Sequence, residues 1–139
     1  METQASASVT VLLVDDDLLV QDVIRSALEE GGFEVVCAAS GKEAMAILND
    51  SAAAIQALVT DVNLGSTESG WDVARYGREL SVVLPVVYVS GDSAHDWPAH
   101  GVPGSIVVQK PFAPAQIVTA VATVLNDAPP SPPSDAESQ

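Results

Sequence analysis

The sequence predicts an α/β fold: a doubly wound sheet of five parallel strands with helices on both faces. Five short apolar runs alternate along the chain with segments of helical periodicity. Strands that alternate with helices form parallel sheets, because each short right-handed crossover returns the chain to the end of the sheet where the previous strand began. We expect the flavodoxin-like strand order 2-1-3-4-5, which makes the first and third strands neighbours.

The first half of the chain predicts three strands and two helices. Residues 9–14 are a continuous apolar run, the pattern of a strand covered on both faces, and residues 33–38 and 57–60 are expected to form the second and third strands. Apolar residues follow helical spacing from Val20 to Leu28, and Gly31-Gly32 ends this first helix. A turn at Ser40-Gly41 then leads into a second helix over residues 44–48.

The second half continues the alternation, with one irregular stretch. Residues 71–80 have the apolar face of a third helix, and the remaining strands are expected at 86–89 and 105–109. Residues 92–104 contain Pro98 and Pro103 and little periodicity, so the fourth helix should be short or irregular. The apolar stripe from Ile117 to Leu125 predicts the last helix.

The length of 139 residues is that of a single domain with a full core. Residues 1–8 are small and polar and are expected to be disordered. Pro, Ser and acidic residues dominate positions 127–139, a composition that cannot bury a core. The folded domain is therefore expected over residues 9–126, between two disordered ends.

Charge and cysteine content restrict the partners and the compartment. The formal charge is −14 with five Lys and Arg, whereas a protein that binds nucleic acid needs a basic patch. Cys37 is the single cysteine, so it is expected to be a buried packing residue in a reducing compartment. We find neither a signal peptide nor a membrane span. We expect a cytoplasmic protein without direct nucleic-acid or membrane contact.

Four of the apolar runs stop at polar residues that phosphoryl and metal chemistry can use. The first stops at Asp15-Asp16-Asp17 and the third at Asp61. The fourth stops at Ser90 and the fifth at Lys110. The carboxyl ends of parallel strands lie along one edge, where such sheets place their ligand sites. One pocket is therefore expected to hold Asp15, Asp16, Asp61, Ser90 and Lys110, while Asp17 is expected to cap the first helix.

Three carboxylates in one cleft repel each other, and a bound cation removes that cost. A pair about 4 Å apart costs roughly 4 kcal/mol at an effective dielectric constant of about 20. Oxygen ligands with room for water suit Mg²⁺, whereas His95 and His100 lack the spacing of a zinc site and are interpreted as surface residues.

With a metal present, a carboxylate can attack phosphorus as a nucleophile. Asp61 is the expected nucleophile because it stands alone on the central strand, whereas Asp15 and Asp16 are paired, as ligands would be. Lys110 would neutralise one phosphoryl oxygen, and the Ser90 hydroxyl would donate to another.

Four motifs occur in order at the strand ends: Leu13-Val14-Asp15-Asp16, Thr60-Asp61-Val62-Asn63, Val89-Ser90-Gly91 and Lys110-Pro111-Phe112. Together they resemble the receiver domain of two-component response regulators, the CheY-like superfamily, over residues 9–126. The resemblance implies a stand-alone switch and not a conventional enzyme. Asp61 would take a phosphoryl group from a phosphohistidine of a sensor histidine kinase or a histidine phosphotransfer protein, which changes contacts with an unknown downstream protein.

The resemblance also implies the ligands and the access route. Asp16 would bind Mg²⁺ directly and Asp15 largely through water, with Asp61 and the backbone carbonyl of Asn63 completing the protein ligands. Lys110-Pro111 would be a cis peptide that aims the Lys side chain at the phosphate. Asn63 and Asp92 would flank the route of water to the acyl phosphate and tune its lifetime.

The sequence departs from the family pattern in several places. Val107 occupies a switch position on the fifth strand that is commonly Tyr or Phe, and Gly65 stands where Pro is usual. The loop before Gly70 is about one residue longer than common. The irregular segment 92–104 replaces a normal fourth helix, so Trp97 is a candidate for an altered output surface.

Two other functions stay open from the sequence. Asp15-Asp16-Asp17 mimics the DxD nucleophile motif of Mg²⁺-dependent phosphohydrolases of the haloacid-dehalogenase type, with Asp15 as nucleophile. That chemistry needs further acidic ligands after the Lys, and no acidic residue follows Lys110 before Asp127. A phosphorylation-independent interaction module would keep the fold but not the switch, and Val107 is the departure that favours it.

Overall fold

The computed structural model describes residues 8–65, 67–91 and 94–127. The strands are Thr10–Val14 (β1), Glu34–Ala38 (β2), Ala57–Asp61 (β3), Val86–Ser90 (β4) and Ile106–Gln109 (β5). The helices are Leu18–Glu30 (α1), Gly41–Ser51 (α2), Gly70–Leu80 (α3), Trp97–His100 (α4) and Pro114–Asp127 (α5). The predicted disordered ends, except for Ser8 and Asp127, and the predicted role of Asp92 fall outside the described residues.

All five strands are parallel, and their order is β2-β1-β3-β4-β5, as the sequence predicted. Val14 of β1 pairs with Thr60 of β3, and Thr60 pairs in turn with Tyr88 of β4. The carboxyl ends of the three central strands therefore meet at one edge, where the ligand sites of such sheets lie.

Apolar side chains cover both faces of the sheet, because successive strand residues point to opposite sides. One core cluster contains Leu12, Leu58 and Tyr88 from the strands together with residues of α2 and α3. The other contains Val11 and Val59 together with residues of α1 and α5. Every residue of β3 and β4 is buried, which explains their continuous apolar sequences.

Several local predictions are confirmed and a few boundaries shift. Asp17 caps α1, since its side chain accepts hydrogen bonds from the backbone of Leu19 and Val20. The fourth helix has only four residues, a single turn, which agrees with the predicted short or irregular helix. The strands β3 and β4 each extend one residue further than predicted, to include Asp61 and Ser90. Cys37 is only half-buried because β2 is an edge strand, so its predicted burial is partial.

The start of α3 is held against the loop that follows Asp61. Gly70 N–H donates to the Val62 carbonyl at 2.8 Å. A Cβ atom at position 70 would lie 2.2 Å from the Asp61 carbonyl oxygen and 2.9 Å from Val62 Cα. Both are backbone atoms that cannot rotate away, so this position requires glycine and fixes α3 beneath the acidic end of β3.

The Gly70→Ala substitution is expected to lower the free energy of unfolding by about 2 to 3 kcal/mol, because an overpacked backbone contact must spread apart. Urea denaturation at pH 7.5 measures the change. Gly91→Ala is the matched control: its Cβ would meet its nearest neighbour, Lys110 Cδ, at 3.9 Å, so its stability should be nearly unchanged. Equal stabilities of the two variants would contradict the steric explanation.

Among the described residues, no helix has the length and apolar character needed to cross a bilayer.

Candidate functional site

Three carboxylates meet at the carboxyl ends of β1 and β3. Asp15 and Asp16 follow the last residue of β1, and Asp61 is the last residue of β3. One carboxylate oxygen from each of the three lies within 4.8 Å of the others. Asp15 and Asp61 are buried, at 1% and 6% exposure, whereas Asp16 is exposed. The neighbouring positions of β1 and β3 thus bring together the three acids that the sequence singled out.

Lys110 directly follows β5 and reaches the same cluster with its side chain. Its Nζ donates to Asp61 Oδ2 at 3.1 Å, and its backbone N–H donates to the Ser90 carbonyl at 2.8 Å. The Lys110–Pro111 peptide is cis, as the resemblance implied. The Asp61 carboxylate is therefore in contact with a cation and within 4.8 Å of two further acids.

Ser90 and Asn63 stand next to Asp61 in different ways. Ser90 is the fully buried last residue of β4, one position beyond Val89, which pairs with Asp61 in the sheet. Asn63 donates its backbone N–H to Asp61 Oδ1 at 3.2 Å, while its side chain is exposed. The structure thus brings all six predicted site residues to one end of the sheet.

Burial makes the charged forms of two acids costly. Burial raises the pKa of Asp15 to about 6, against the opposing hydrogen bond from Asp17 N–H and with a further increase from the charge of Asp61. Burial also raises the pKa of Asp61, while the hydrogen bond from Lys110 works against that rise. Loss of hydration penalises a carboxylate charge unless a cation compensates.

The donor set fits a hard divalent cation. All the candidate ligands are oxygen atoms, two of the three carboxylates are buried, and Asp16 is exposed where water can complete a coordination shell. Mg²⁺ prefers carboxylate and carbonyl oxygens and retains several waters. The site therefore meets the chemical requirements of the magnesium ion that the sequence predicted.

Gly65 has a structural reason to differ from the usual proline. Its φ is +67°, in the left-handed region, whereas a proline ring holds φ near −65°. A Cβ atom at this position would also lie 2.9 Å from Asp16 Oδ2. Glycine therefore lets the loop after β3 pass close to the Asp16 carboxylate.

Sequence reasoning missed Gln21, which supports the acidic end of β1. Its side-chain amide donates to the carbonyls of Asp15 at 3.2 Å and Ala38 at 3.0 Å. It thereby joins the carboxyl ends of β1 and β2 below the carboxylates. Gln21 lies three residues before Ile24 and seven before Leu28, the buried residues of α1. A polar residue on that apolar stripe is the signal in the sequence that could have identified Gln21.

An exposed apolar surface lies beside the acidic cluster. Leu18, Leu19 and Val23 on α1 are 62%, 82% and 50% exposed. Leu19 and Val23 line a shallow cleft of about 270 Å³ together with Phe112, two residues beyond Lys110. Exposed apolar groups gathered in this way mark surfaces that contact other proteins. We call Leu18, Leu19, Val23 and Phe112 the α1 patch.

Comparison with known proteins identifies what the chain is similar to. A family model described as the response regulator receiver domain matches residues 11–122. The curated Response regulator SaeR of Staphylococcus aureus (strain USA300) is 26% identical over 117 residues, which are 83% of this chain and 50% of that protein. The chain thus spans about half the length of the curated relatives it matches.

Solved structures have the same architecture. A response regulator receiver protein from Sinorhizobium medicae WSM419 is 41% identical with a TM-score of 0.83, over 87% of this chain and 97% of that one. The receiver domain of NtrX from Brucella abortus is 25% identical with a TM-score of 0.74, over 85% and 99% of the two chains. A receiver domain protein from Clostridium thermocellum, at 22% identity and a TM-score of 0.78 over 86% and 95%, shows the fold alone.

Proposed function

Because this chain belongs to the response regulator receiver domain family of two-component systems, we propose that Asp61 is its phosphoacceptor. Proteins of this family are phosphoacceptor switches, bind Mg²⁺ at an acidic pocket and receive their phosphoryl group from kinases or phosphotransfer proteins. The observation that carries the assignment is that Asp61 contacts the Lys110 ammonium at 3.1 Å and has a carboxylate oxygen within 4.8 Å of oxygens of Asp15 and Asp16. Asp61 is the acid of the three that touches a cation.

In the proposed reaction an Asp61 oxygen attacks the phosphorus of a phosphohistidine. The new P–O bond forms as the P–N bond breaks, and the imidazole leaves with the electron pair. Lys110 Nζ neutralises charge on a phosphoryl oxygen, and the Ser90 hydroxyl donates to another. Catalysis by the chain is then mainly positioning and charge neutralisation, as is general for phosphoryl transfer.

Asp15, Asp16, Asp61 and the Asn63 carbonyl would hold the Mg²⁺ ion. When bound, the ion would offset the repulsion among the carboxylates and draw charge from the phosphoryl oxygens. The resemblance to the family implies that Asp16 would contact the ion directly and Asp15 largely through water. Four expectations from the sequence stay predictions. They are the disordered ends, the cytoplasmic location, the lack of nucleic-acid contact and the tuning of phosphoryl lifetime by Asn63 and Asp92.

Loading with a small phosphodonor tests this function. Acetyl phosphate with Mg²⁺ should give a stable adduct of one phosphate per chain, detected by intact mass spectrometry, and excess EDTA should prevent its formation. Catalytic phosphate release that disappears in Asp15→Asn would instead favour the hydrolase. An unreactive chain would favour the phosphorylation-independent module.

The α1 patch supports a protein as the phosphodonor. Leu19 and Phe112 line an apolar cleft, and Phe112 lies two residues beyond Lys110, which contacts Asp61. A partner protein that docks on this cleft would bring its phosphohistidine towards the acidic cluster. Leu19→Asp should slow transfer from any phosphorylated histidine kinase that loads the unchanged chain by about tenfold or more, since a charge there cannot be desolvated cheaply. Loading by acetyl phosphate should not change.

Val82→Asp is the matched control for this prediction. Val82 is 77% exposed, close to the 82% of Leu19, but it precedes β4 at the opposite end of the sheet from the acidic cluster. Transfer rates are compared by quench-flow with radiolabelled kinase. If both substitutions slow phosphoryl transfer from the kinase equally, the α1 patch is not the docking surface.

A further inference from the structure

Tyr88 is a fully buried tyrosine whose hydroxyl serves the segment around α4. It lies in the middle of β4 with 0% exposure, and its OH accepts a hydrogen bond from Val102 N–H at 3.1 Å. Because this hydroxyl and this amide are buried, breaking their hydrogen bond would leave both groups without a partner, at a cost in free energy. Tyr88 therefore ties the position of Val102 to the position of β4.

Residues 97–105, which we call the α4 segment, form one unit around this bond. Trp97 Nε1 donates to Ser105 Oγ at 2.9 Å, and Ser105 Oγ donates to the Val102 carbonyl at 2.6 Å. Val102 and Ser105 are buried, while Trp97 is half-buried against the same core cluster that contains Tyr88. A displacement of Val102 would therefore pass through Ser105 to the Trp97 ring.

Two physical connections lead from Tyr88 to the acidic cluster. Ser90 is two residues further along β4, so the side chains of Tyr88 and Ser90 project to the same face of the sheet. The Tyr88 ring also packs on Trp71, with ring centroids 4.5 Å apart. Trp71 follows Gly70, which is in contact with the Asp61 backbone. Tyr88 is therefore connected to the surroundings of Asp61 both along β4, through Ser90, and through Trp71 and Gly70.

We propose that Tyr88 couples the state of Asp61 to the α4 segment through its hydrogen bond to Val102, so that this segment reports phosphorylation to partners. The proposal rests on the proposed function, because it takes Asp61 as the acceptor. A phosphoryl group brings bulk and negative charge to a site where Asp61 and Ser90 are buried, and close-packed interiors pass on such displacements. The buried pair of Tyr88 and Val102 moves together because separation would leave both groups without partners.

Fluorine NMR of protein labelled with 5-fluorotryptophan tests the coupling. The chain has two tryptophans, so Trp71 and Trp97 give two resonances that Trp97→Phe assigns. Beryllofluoride with Mg²⁺ serves as the phosphoryl mimic, and intact mass after treatment with acetyl phosphate measures loading separately. On addition of the mimic the Trp97 resonance should shift in the unchanged chain, and Tyr88→Phe should reduce that shift by at least half while still accepting phosphate.

Tyr76→Phe is the matched control, since it removes the chain's other tyrosine hydroxyl, which donates to Asn49 Oδ1 on α2. It should leave the Trp97 shift intact. A chain that loads but shows no Trp97 shift, or a Tyr88→Phe variant with the full shift, overturns the coupling and leaves the proposed function standing. A chain that fails to load removes both. If Tyr88→Phe does not fold, Ser105→Ala provides the test. It removes the hydroxyl that links Val102 to Trp97, so it should also reduce the Trp97 shift.

Discussion

Asp61→Asn is expected to abolish the one-phosphate adduct, with a loss of at least about 1,000-fold in the rate of loading by acetyl phosphate. An amide oxygen is a far weaker nucleophile than a carboxylate, and the substitution also removes the negative charge that faces Lys110 at 3.1 Å. Asn keeps the size and shape of the side chain, so its oxygen can still accept the hydrogen bond from Asn63 N–H. The measurement is intact mass spectrometry over a time course at saturating Mg²⁺.

Asp50→Asn is the control for this substitution. Asp50 is an exposed acid on α2 and should load at the unchanged rate. Fragmentation of the adduct locates the phosphate in the unchanged chain. A phosphate found on Asp15, or an adduct that persists in Asp61→Asn, would exclude Asp61 as the acceptor.

Asp15→Asn is expected to stabilise the metal-free protein at pH 7.5, raising the free energy of unfolding by about 1 to 3 kcal/mol. The reason is the cost of holding a charge at a buried position: the folded-state pKa of Asp15 is about 6, above the ordinary value of 3.8. Asn removes the charge and retains an oxygen that can accept the hydrogen bond from Asp17 N–H. Urea denaturation in EDTA measures the difference.

The sign of the pH dependence follows from this pKa. Between pH 3.8 and about 6 the folded state binds more protons at Asp15 than the unfolded state does, so its contribution to stability falls as pH rises. Asp15→Asn should therefore match the unchanged chain in stability below about pH 4, and its advantage should grow up to about pH 6 and level off above that. An unfolding free energy at pH 7.5 equal to or lower than that of the unchanged chain would contradict the prediction.

Magnesium should reduce this difference in stability between Asp15→Asn and the unchanged chain. An ion that binds only the folded state adds stability in proportion to the logarithm of its concentration over its dissociation constant. The unchanged chain should gain this stability, whereas Asp15→Asn, with one carboxylate fewer at the cluster, should gain less. The acidic cluster is thus expected to lower the free energy of unfolding in the absence of metal, and a bound Mg²⁺ ion is expected to offset that loss.

The amino-acid sequence by itself was sufficient to predict the strand order, the family, a short or irregular fourth helix and the Asp17 cap. Each of these depends on local chemistry: continuous apolar runs indicate buried strands, prolines interrupt helical periodicity, and a carboxylate before a helix accepts free N–H groups. Parallel topology then brings the ends of separate strands to one edge, so the sequence could also identify the candidate acids without coordinates.

Only the tertiary structure revealed the contacts that depend on side-chain reach between residues far apart along the chain. The bridge from Gln21 to Ala38, the contact of Gly70 with the Asp61 carbonyl and the bond from Val102 to Tyr88 are of this kind. The periodicity of the sequence does not predict these contacts, because each depends on the register of neighbouring strands and on how a helix or loop packs on the sheet. The raised pKa values of Asp15 and Asp61 have the same origin, since burial is a property of the packed molecule and not of the residue.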